Sequence, residues 1–196
     1  MYTLDDIIRD SASVSNWTRS VKHLTERLKE SPELIIQATL VHVGYRNEKV
    51  EEVLSEEMIT EQEYKNVVDN INMDDMQSSN ANCNTVVRRM WKGVWKGVCG
   101  IIKEGSIEER KAYGKCLKTI HEVVSLLSRS EVRNIRVAMV IAAAVMYESY
   151  EEASSAITVQ QNILKKGRKK DKKKELERLD KASAHLTKLV EHVFKG

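Results

Sequence analysis

With 196 residues, 41% of them hydrophobic, and a net charge of only +3, the chain is long enough to bury a core and too evenly charged overall to be drawn to polyanions by net charge. One proline, eight glycines and an excess of Ala, Leu, Lys, Glu, Val and Ile exclude a β-rich architecture and predict an all-α fold. No apolar run approaches the roughly 20 residues of a bilayer span, and the opening Met1-Tyr2-Thr3-Leu4-Asp5-Asp6 lacks the order of a secretory signal, so no membrane contact is expected and the expected location is nuclear or cytoplasmic.

In chain order, Trp17, Val21, Leu24 and Leu28 share one face of a predicted helix over residues 17 to 30, and Ser31-Pro32 stops it and starts the next. Leu34, Ile35, Ala38, Leu40, Val41 and Val43 predict a buried helix that ends at Gly44. Val50, Val53, Leu54 and Met58 predict one more amphipathic helix in an acidic region, and the aperiodic Asn-rich text from 70 to 84 predicts a long loop. Helical spacing returns through Val86, Val87, Met90, Trp91, Val94, Val98 and Ile102, with Arg88, Arg89, Lys92 and Lys96 on the other side. Trp91 and Trp95, four apart, are expected in the core, with a peptide groove beside them as the alternative. Leu117, Ile120, Val123, Val124 and Leu127 predict a further helix. After a Ser-Arg-Ser-Glu turn, Ile135, Met139, Ala142, Ala143 and Met146 predict another, apolar around most of its circumference from 137 to 146 and therefore covered on several sides, with Ile141 and Val145 buried.

The last 45 residues behave differently. Ile157, Gln160, Ile163 and Leu164, then Leu176, Leu179, Leu186, Leu189, Val190 and Val193, are spaced by threes and fours. This pattern predicts two long helices zipped as an antiparallel hairpin that protrudes from the body, with Lys165, Lys166, Arg168, Lys169, Lys170, Lys172, Lys173 and Lys174 at its tip. From 165 to 178 nine basic residues face three acidic ones, so this stretch carries +6 and the rest of the chain −3. Residues 1 to 80 are acidic, with 8 basic and 16 acidic side chains; 81 to 130 hold 10 and 4. The cationic tip reads either as a solubilising cap or as a surface for phosphates.

Cys83, Cys99 and Cys116 are odd in number and widely spaced, which suits a reducing compartment better than a disulfide framework. His121 lies five residues beyond Cys116, an offset that makes no metal site alone. No Gly-rich phosphate loop, zinc motif or nucleophile with its base is legible, so no enzyme, metal or cofactor is expected.

The segment Val123-Val124-Ser125-Leu126-Leu127-Ser128-Arg129-Ser130-Glu131-Val132-Arg133-Asn134-Ile135-Arg136 and the closing Val193-Phe194-Lys195-Gly196 resemble the STAG domain of the SA (stromalin) type HEAT-repeat subunit of cohesin. The first shows that family's short helix, Leu-rich turn and arginines opening a long helix; the second resembles the point after the long hairpin where HEAT repeats would follow. The resemblance spans about residues 31 to 196. Where the family carries an aromatic followed by Arg-His-Thr, this chain has Ile135-Arg136-Val137-Ala138, so roles of that His and Thr do not carry over. Arg133 and Arg136 read as capping or core-pairing residues, with phosphate contact as the alternative.

The resemblance implies a HEAT-like helical array divided into a lead-in (1–30), a STAG-type core (31–150) and the long hairpin (151–196), excised from a longer protein. It implies a non-enzymatic scaffold of the nucleus and chromosome that acts in sister-chromatid cohesion and chromosome segregation through the cell cycle. Its partners would be duplex DNA, a kleisin bound mainly by the absent repeats, and other cohesin subunits. DNA contact is expected at residues 165, 166, 168–170 and 172–174 and at Arg88, Arg89, Lys92 and Lys96, independent of base sequence. Two rivals stand beside it: a protein–protein adaptor using residues 46 to 84 or the Trp91–Trp95 face, and an RNA-binding helical repeat.

Overall fold

In the computed structural model, which describes residues 3–45, 82–165 and 172–194, helix boundaries follow local capping chemistry. Helix α1 (Leu4–Ala12) opens with a capping box in which the Thr3 hydroxyl accepts from the Asp6 N–H (3.3 Å) and the Asp6 carboxylate accepts from the Thr3 N–H (3.0 Å). Helices α2 (Trp17–Arg27) and α3 (Glu33–His42) follow. The end of α3 falls where Gly44 takes a φ of 99°, a left-handed conformation that lets the Tyr45 N–H reach the Leu40 carbonyl and the Gly44 N–H the Val41 carbonyl (both 3.0 Å). Helix α4 (Cys83–Glu104) is followed by α5 (Ile107–Leu127), whose start is a second capping box between Ser106 and Glu109 (3.1 and 2.7 Å). Helices α6 (Arg133–Lys165) and α7 (Lys172–Phe194) complete an all-α set with no β-strand among the described residues. The segment around Val50, Val53, Leu54 and Met58, and nearly all of the Asn-rich stretch, lie outside the described residues; at its end α4 starts at Cys83, two residues earlier than its apolar period suggests.

Helix α4 is the centre of the packing. Val87, Met90, Trp91, Val94, Trp95, Val98 and Ile102 on it are at most 1% exposed. The two indoles lie 5.0 Å apart, and Trp91 Nε1 donates to Thr39 Oγ1 (2.9 Å), while the Thr39 hydroxyl donates to the Ile35 carbonyl (2.6 Å). That chain of donors lets α3 lie against α4 with its buried polar atoms satisfied. On another face, α4 presents Gly93 and Gly97 to α2. A Cβ at Gly93 would stand 2.8 Å from both Val21 methyls, and one at Gly97 would stand 2.8 Å from Thr25 Cγ2. The third side faces α6, where Arg88 meets Glu148 and Lys92 meets Glu152, each at 3.8 Å. A step of four residues on one helix matches a step of four on the other, so α4 and α6 run in the same direction.

Two expectations for the C-terminal half are corrected. Helix α6 buries Ile135, Ala138, Met139, Ala142, Val145, Met146, Tyr150 and Ile157, but Val137, Val140 and Tyr147 are 36, 53 and 40% exposed and Ile141 is half-buried. Among the described residues its neighbours occupy one side, so the apolar run is not enclosed. Helix α7 buries Leu179, Ala182, Leu186 and Leu189. That face is shared between α6 and α5 rather than zipped to α6 alone: Gln161 donates to Asp180 (2.8 Å), while a Cβ at Gly114 of α5 would stand 3.1 Å from His185 Cε1. The described part of the pair therefore lies on the body instead of standing clear of it, and Ile163, expected in the seam, is 66% exposed. Helix α6 runs unbroken through residue 150.

Two tests follow from this packing. Gly93→Ala should lower stability by about 1 kcal/mol, because overpacking against the branched Val21 outweighs the helix-propensity gain. Gly100→Ala, where an added Cβ meets nothing within 4 Å, should raise it by about 0.5–1 kcal/mol. Val145→Asp should cost several kcal/mol, on the order of an unpaired buried carboxylate, and Val140→Asp should cost under about 0.5 kcal/mol. Urea unfolding followed by circular dichroism measures all four.

Candidate nucleic-acid interface

Arg88, Lys92 and Lys96 recur every fourth residue and form one exposed stripe along α4. Two of the three are already opposed, Arg88 by Glu148 and Lys92 by Glu152, with about half or more of each side chain in solvent. Such pairs contribute little to stability, yet they reduce the stripe's net field. Lys96 has no ion-pair partner among the described residues.

Arg89, expected with the other three, is not part of that exposed stripe. One residue round the helix, it faces the corner between α1 and α2. Its guanidinium donates to the carbonyls of Ser11 (2.6 Å) and Ser13 (3.2 Å) and lies 5.5 Å from the centre of the Trp17 ring. These are the free carbonyls at the C-terminal end of α1, where a cation is favoured by the helix dipole, and the indole face adds a cation–π contact.

At the other end of the bundle, Lys165 closes α6 and Lys173 and Lys174 open α7; all three are exposed and have no carboxylate partner among the described residues. Lys166, Arg168, Lys169 and Lys170 lie outside the described residues, as does the side chain of Lys172. Arg178 is gripped by Glu175 through two bonds (3.0 and 2.6 Å) and reaches the Glu104 carbonyl at 3.4 Å. The end of α4, the start of α5 and the start of α7 thus meet at one basic end, towards which the α4 stripe runs. Arg136, read as a cap or a phosphate contact, donates to the carbonyls of Ser130 (2.6 Å) and Glu131 (3.3 Å) and caps the turn before α6.

Sequence reasoning missed Arg110. It is 6% exposed and sits in register with Tyr113, Leu117, Ile120, Val124 and Leu127 of α5, a core position occupied by a cation. The signal was that three-and-four spacing continued N-terminally from Leu117, together with the Ser106-x-x-Glu109 capping box that starts the helix.

Several other polar groups of the interior bond to one another or to backbone carbonyls. His121 Nε2 bonds with the Tyr150 hydroxyl (3.0 Å), Cys99 Sγ donates to the Ser149 carbonyl (3.5 Å) and Cys116 Sγ to the Tyr113 carbonyl (3.1 Å). Burial pushes both thiols up to about 12 and the Tyr150 phenol well above its ordinary range, so the cysteines stay protonated. Trp91 and Trp95 are fully buried and offer no face to a peptide. Among the described residues, no group of three or more His, Cys, Asp or Glu side chains is arranged to hold a metal, and no helix is long and apolar enough to cross a membrane. Compared with known proteins, the chain matches no family model, no curated protein and no solved structure.

One titration is tied to the Arg89 corner. The Ser11 hydroxyl donates to the Ile8 carbonyl (3.0 Å), so His42 Nε2, 2.6 Å away, supplies the proton of their shared bond. Burial first, and Arg89 second, hold the His42 imidazolium down to a pKa of about 4. The folded state therefore resists protonation that the unfolded chain accepts near pH 6.5, so stability present above pH 6.5 is lost as pH falls towards 4. His42→Gln should remove about 3 kcal/mol of the pH-dependent loss between pH 7 and pH 4, read as the difference between wild-type and variant stabilities from urea unfolding.

Proposed function

We propose that this chain is a non-catalytic helical scaffold that holds duplex DNA by its phosphate backbone, through the lysines that flank the junction of α6 and α7. The observation that carries the reading is that Lys165, Lys173 and Lys174 project from two adjoining helix ends, exposed and without ion-pair partners among the described residues, next to a stretch whose sequence adds Lys166, Arg168, Lys169, Lys170 and Lys172. Lysines set in this way neutralise closely spaced phosphates without reading base edges. The Arg88–Lys92–Lys96 stripe is a secondary track, because Glu148 and Glu152 offset two of its charges.

The resemblance of residues 123–136 and 193–196 to the STAG domain of the cohesin SA-type subunit supports the same reading. It extends the reading to a HEAT-like array in a cohesin subunit at the chromosome, working in sister-chromatid cohesion with a kleisin and other cohesin subunits. A second reading, a protein–protein adaptor without DNA contact, draws on the uncovered Val137, Val140 and Tyr147 of α6, an apolar strip of the kind that marks interaction surfaces.

Salt dependence separates the two. If about 4 phosphates are neutralised, log K falls with log salt at a slope near −3.6, so raising salt from 50 to 200 mM weakens binding on the order of 100-fold. The combined change of Lys165, Lys169, Lys170 and Lys173 to Glu should abolish most duplex affinity in fluorescence anisotropy. Arg88→Glu with Lys92→Glu and Lys96→Glu should have the smaller effect. Duplex affinity that neither set alters at low salt would sink the DNA reading in favour of the adaptor, and preference for single-stranded RNA over duplex DNA would move the same lysines to a different nucleic acid.

A further inference from the structure

Between the start of α5 and the start of α7 lies a cavity of about 430 Å³. Four cationic side chains line it, Arg110, Lys174, Arg178 and Lys181, against two carboxylates, Glu175 and Glu177, which leaves two positive charges in excess. Glu175 is already held by Arg178 through its two bonds.

Arg110 is the unusual member. It is 94% buried by its 6% exposure, its Nε finds no hydrogen-bond partner, and its guanidinium pairs with no carboxylate among the described residues. A guanidinium does not shed its proton in a protein, so this charge remains in the interior with no counter-charge bonded to it among the described residues, an arrangement costly unless something pairs with it. The charge that acts on it most is of its own sign. Arg178 faces it with the same sign, and His185 on α7 is held below the usual imidazole range by burial, then by Arg110 and Lys188.

The cavity also receives the N-terminal end of α5, a helix of 21 residues. The first bond within that helix runs from the Arg110 N–H to the Ser106 carbonyl (3.1 Å). The Glu109 N–H is taken by the Ser106 hydroxyl, so the N–H groups of Ile107 and Glu108 precede the hydrogen-bonded ladder at the positive end of the helix dipole. A buried, unpaired guanidinium beside a helix N-terminus is the pairing of groups that takes a tetrahedral oxyanion, the fork binding two oxygens and the helix end the others.

We propose that this cavity binds a dianionic phosphate group, either inorganic phosphate or the end of a phosphate monoester. A duplex carries its phosphodiesters on a broad convex rim that does not reach a cation 6% exposed, so the site is separate from the lysine surface and stands whether or not the chain binds DNA.

The full chain, titrated with sodium phosphate against sodium chloride at equal ionic strength, should bind one phosphate saturably by calorimetry and melt at a higher temperature as phosphate rises. Phenyl phosphate should do the same, testing the monoester. Arg110→Met keeps the apolar stem and removes the charge. It should weaken phosphate binding at least ten-fold and, in phosphate-free buffer, melt above the wild type, since a buried unpaired charge is gone. Lys174→Ala and Lys181→Ala, both at exposed positions, should each weaken binding several-fold while leaving the fold intact, and they decide the question if Arg110→Met does not fold. Equal melting in phosphate and chloride overturns the proposal, as does wild-type phosphate affinity in the Lys174 and Lys181 variants. A DNA duplex that displaces phosphate one for one overturns the assignment to a small anion.

Discussion

The structure depends on how closely α2 can approach α4. Two glycines one turn apart, Gly93 and Gly97, leave α4 without side chains along the line where Val21 and Thr25 lie, at distances a single added carbon would violate. Because one face of α4 is thus reduced to backbone, α2 seats against it, and the remaining faces carry Trp91, Trp95 and the valines into α3, α5 and α6. Packing at this density tolerates little change in volume. The Arg89 clamp on the carbonyls of Ser11 and Ser13 then holds the N-terminal corner to the same helix.

Charge is distributed according to that packing and not only by composition. The α4 stripe and the Glu148–Glu152 pair of α6 oppose one another across a shared seam, which mutes the stripe, whereas four cations line the cavity between α5 and α7 against two carboxylates. Exposed lysines and the recessed Arg110 differ in what they can hold: the first suit an extended polyanion, the second a compact one.

How much of this was legible in the sequence can be traced residue by residue. The all-α class, the Gly44 stop and the buried tryptophan pair follow from period and breaker residues, because a helix that turns 100° per residue leaves a direct imprint on spacing. The fate of the arginines was not legible. Arg88 and Arg89 are neighbours in sequence, yet one faces solvent and the other the α1–α2 corner, a difference set by a partner about 76 residues away. Arg110 was passed over although its spacing to Tyr113 and Leu117 is helical, because a charged side chain seldom marks a core position; its burial is set by the packing of α5 against α7. The apolar circumference of α6 was legible as composition, but which side is covered depends on the placement of α4, α5 and α7. The acidic helix expected around Val53 and most of the basic tip fall outside the described residues, so the structure bears on neither.

Helix α6 spans 33 residues without a glycine or a proline, roughly 50 Å at 1.5 Å per residue. Its first half is buried in the α4–α5 core, and its last residue, Lys165, stands at the basic end. A helix with no breaker has no natural hinge, so the two regions cannot swing independently. Tension applied to Lys165 by a bound polymer would travel along the axis as a push or pull on Ile135, Ala142 and Tyr150, and would be resisted in shear by every side chain along the seam. In mechanical terms the helix is a strut seated on α4 and α5 along its first half and braced by α7 along its second, and its grip on a load is set by the length of both seams.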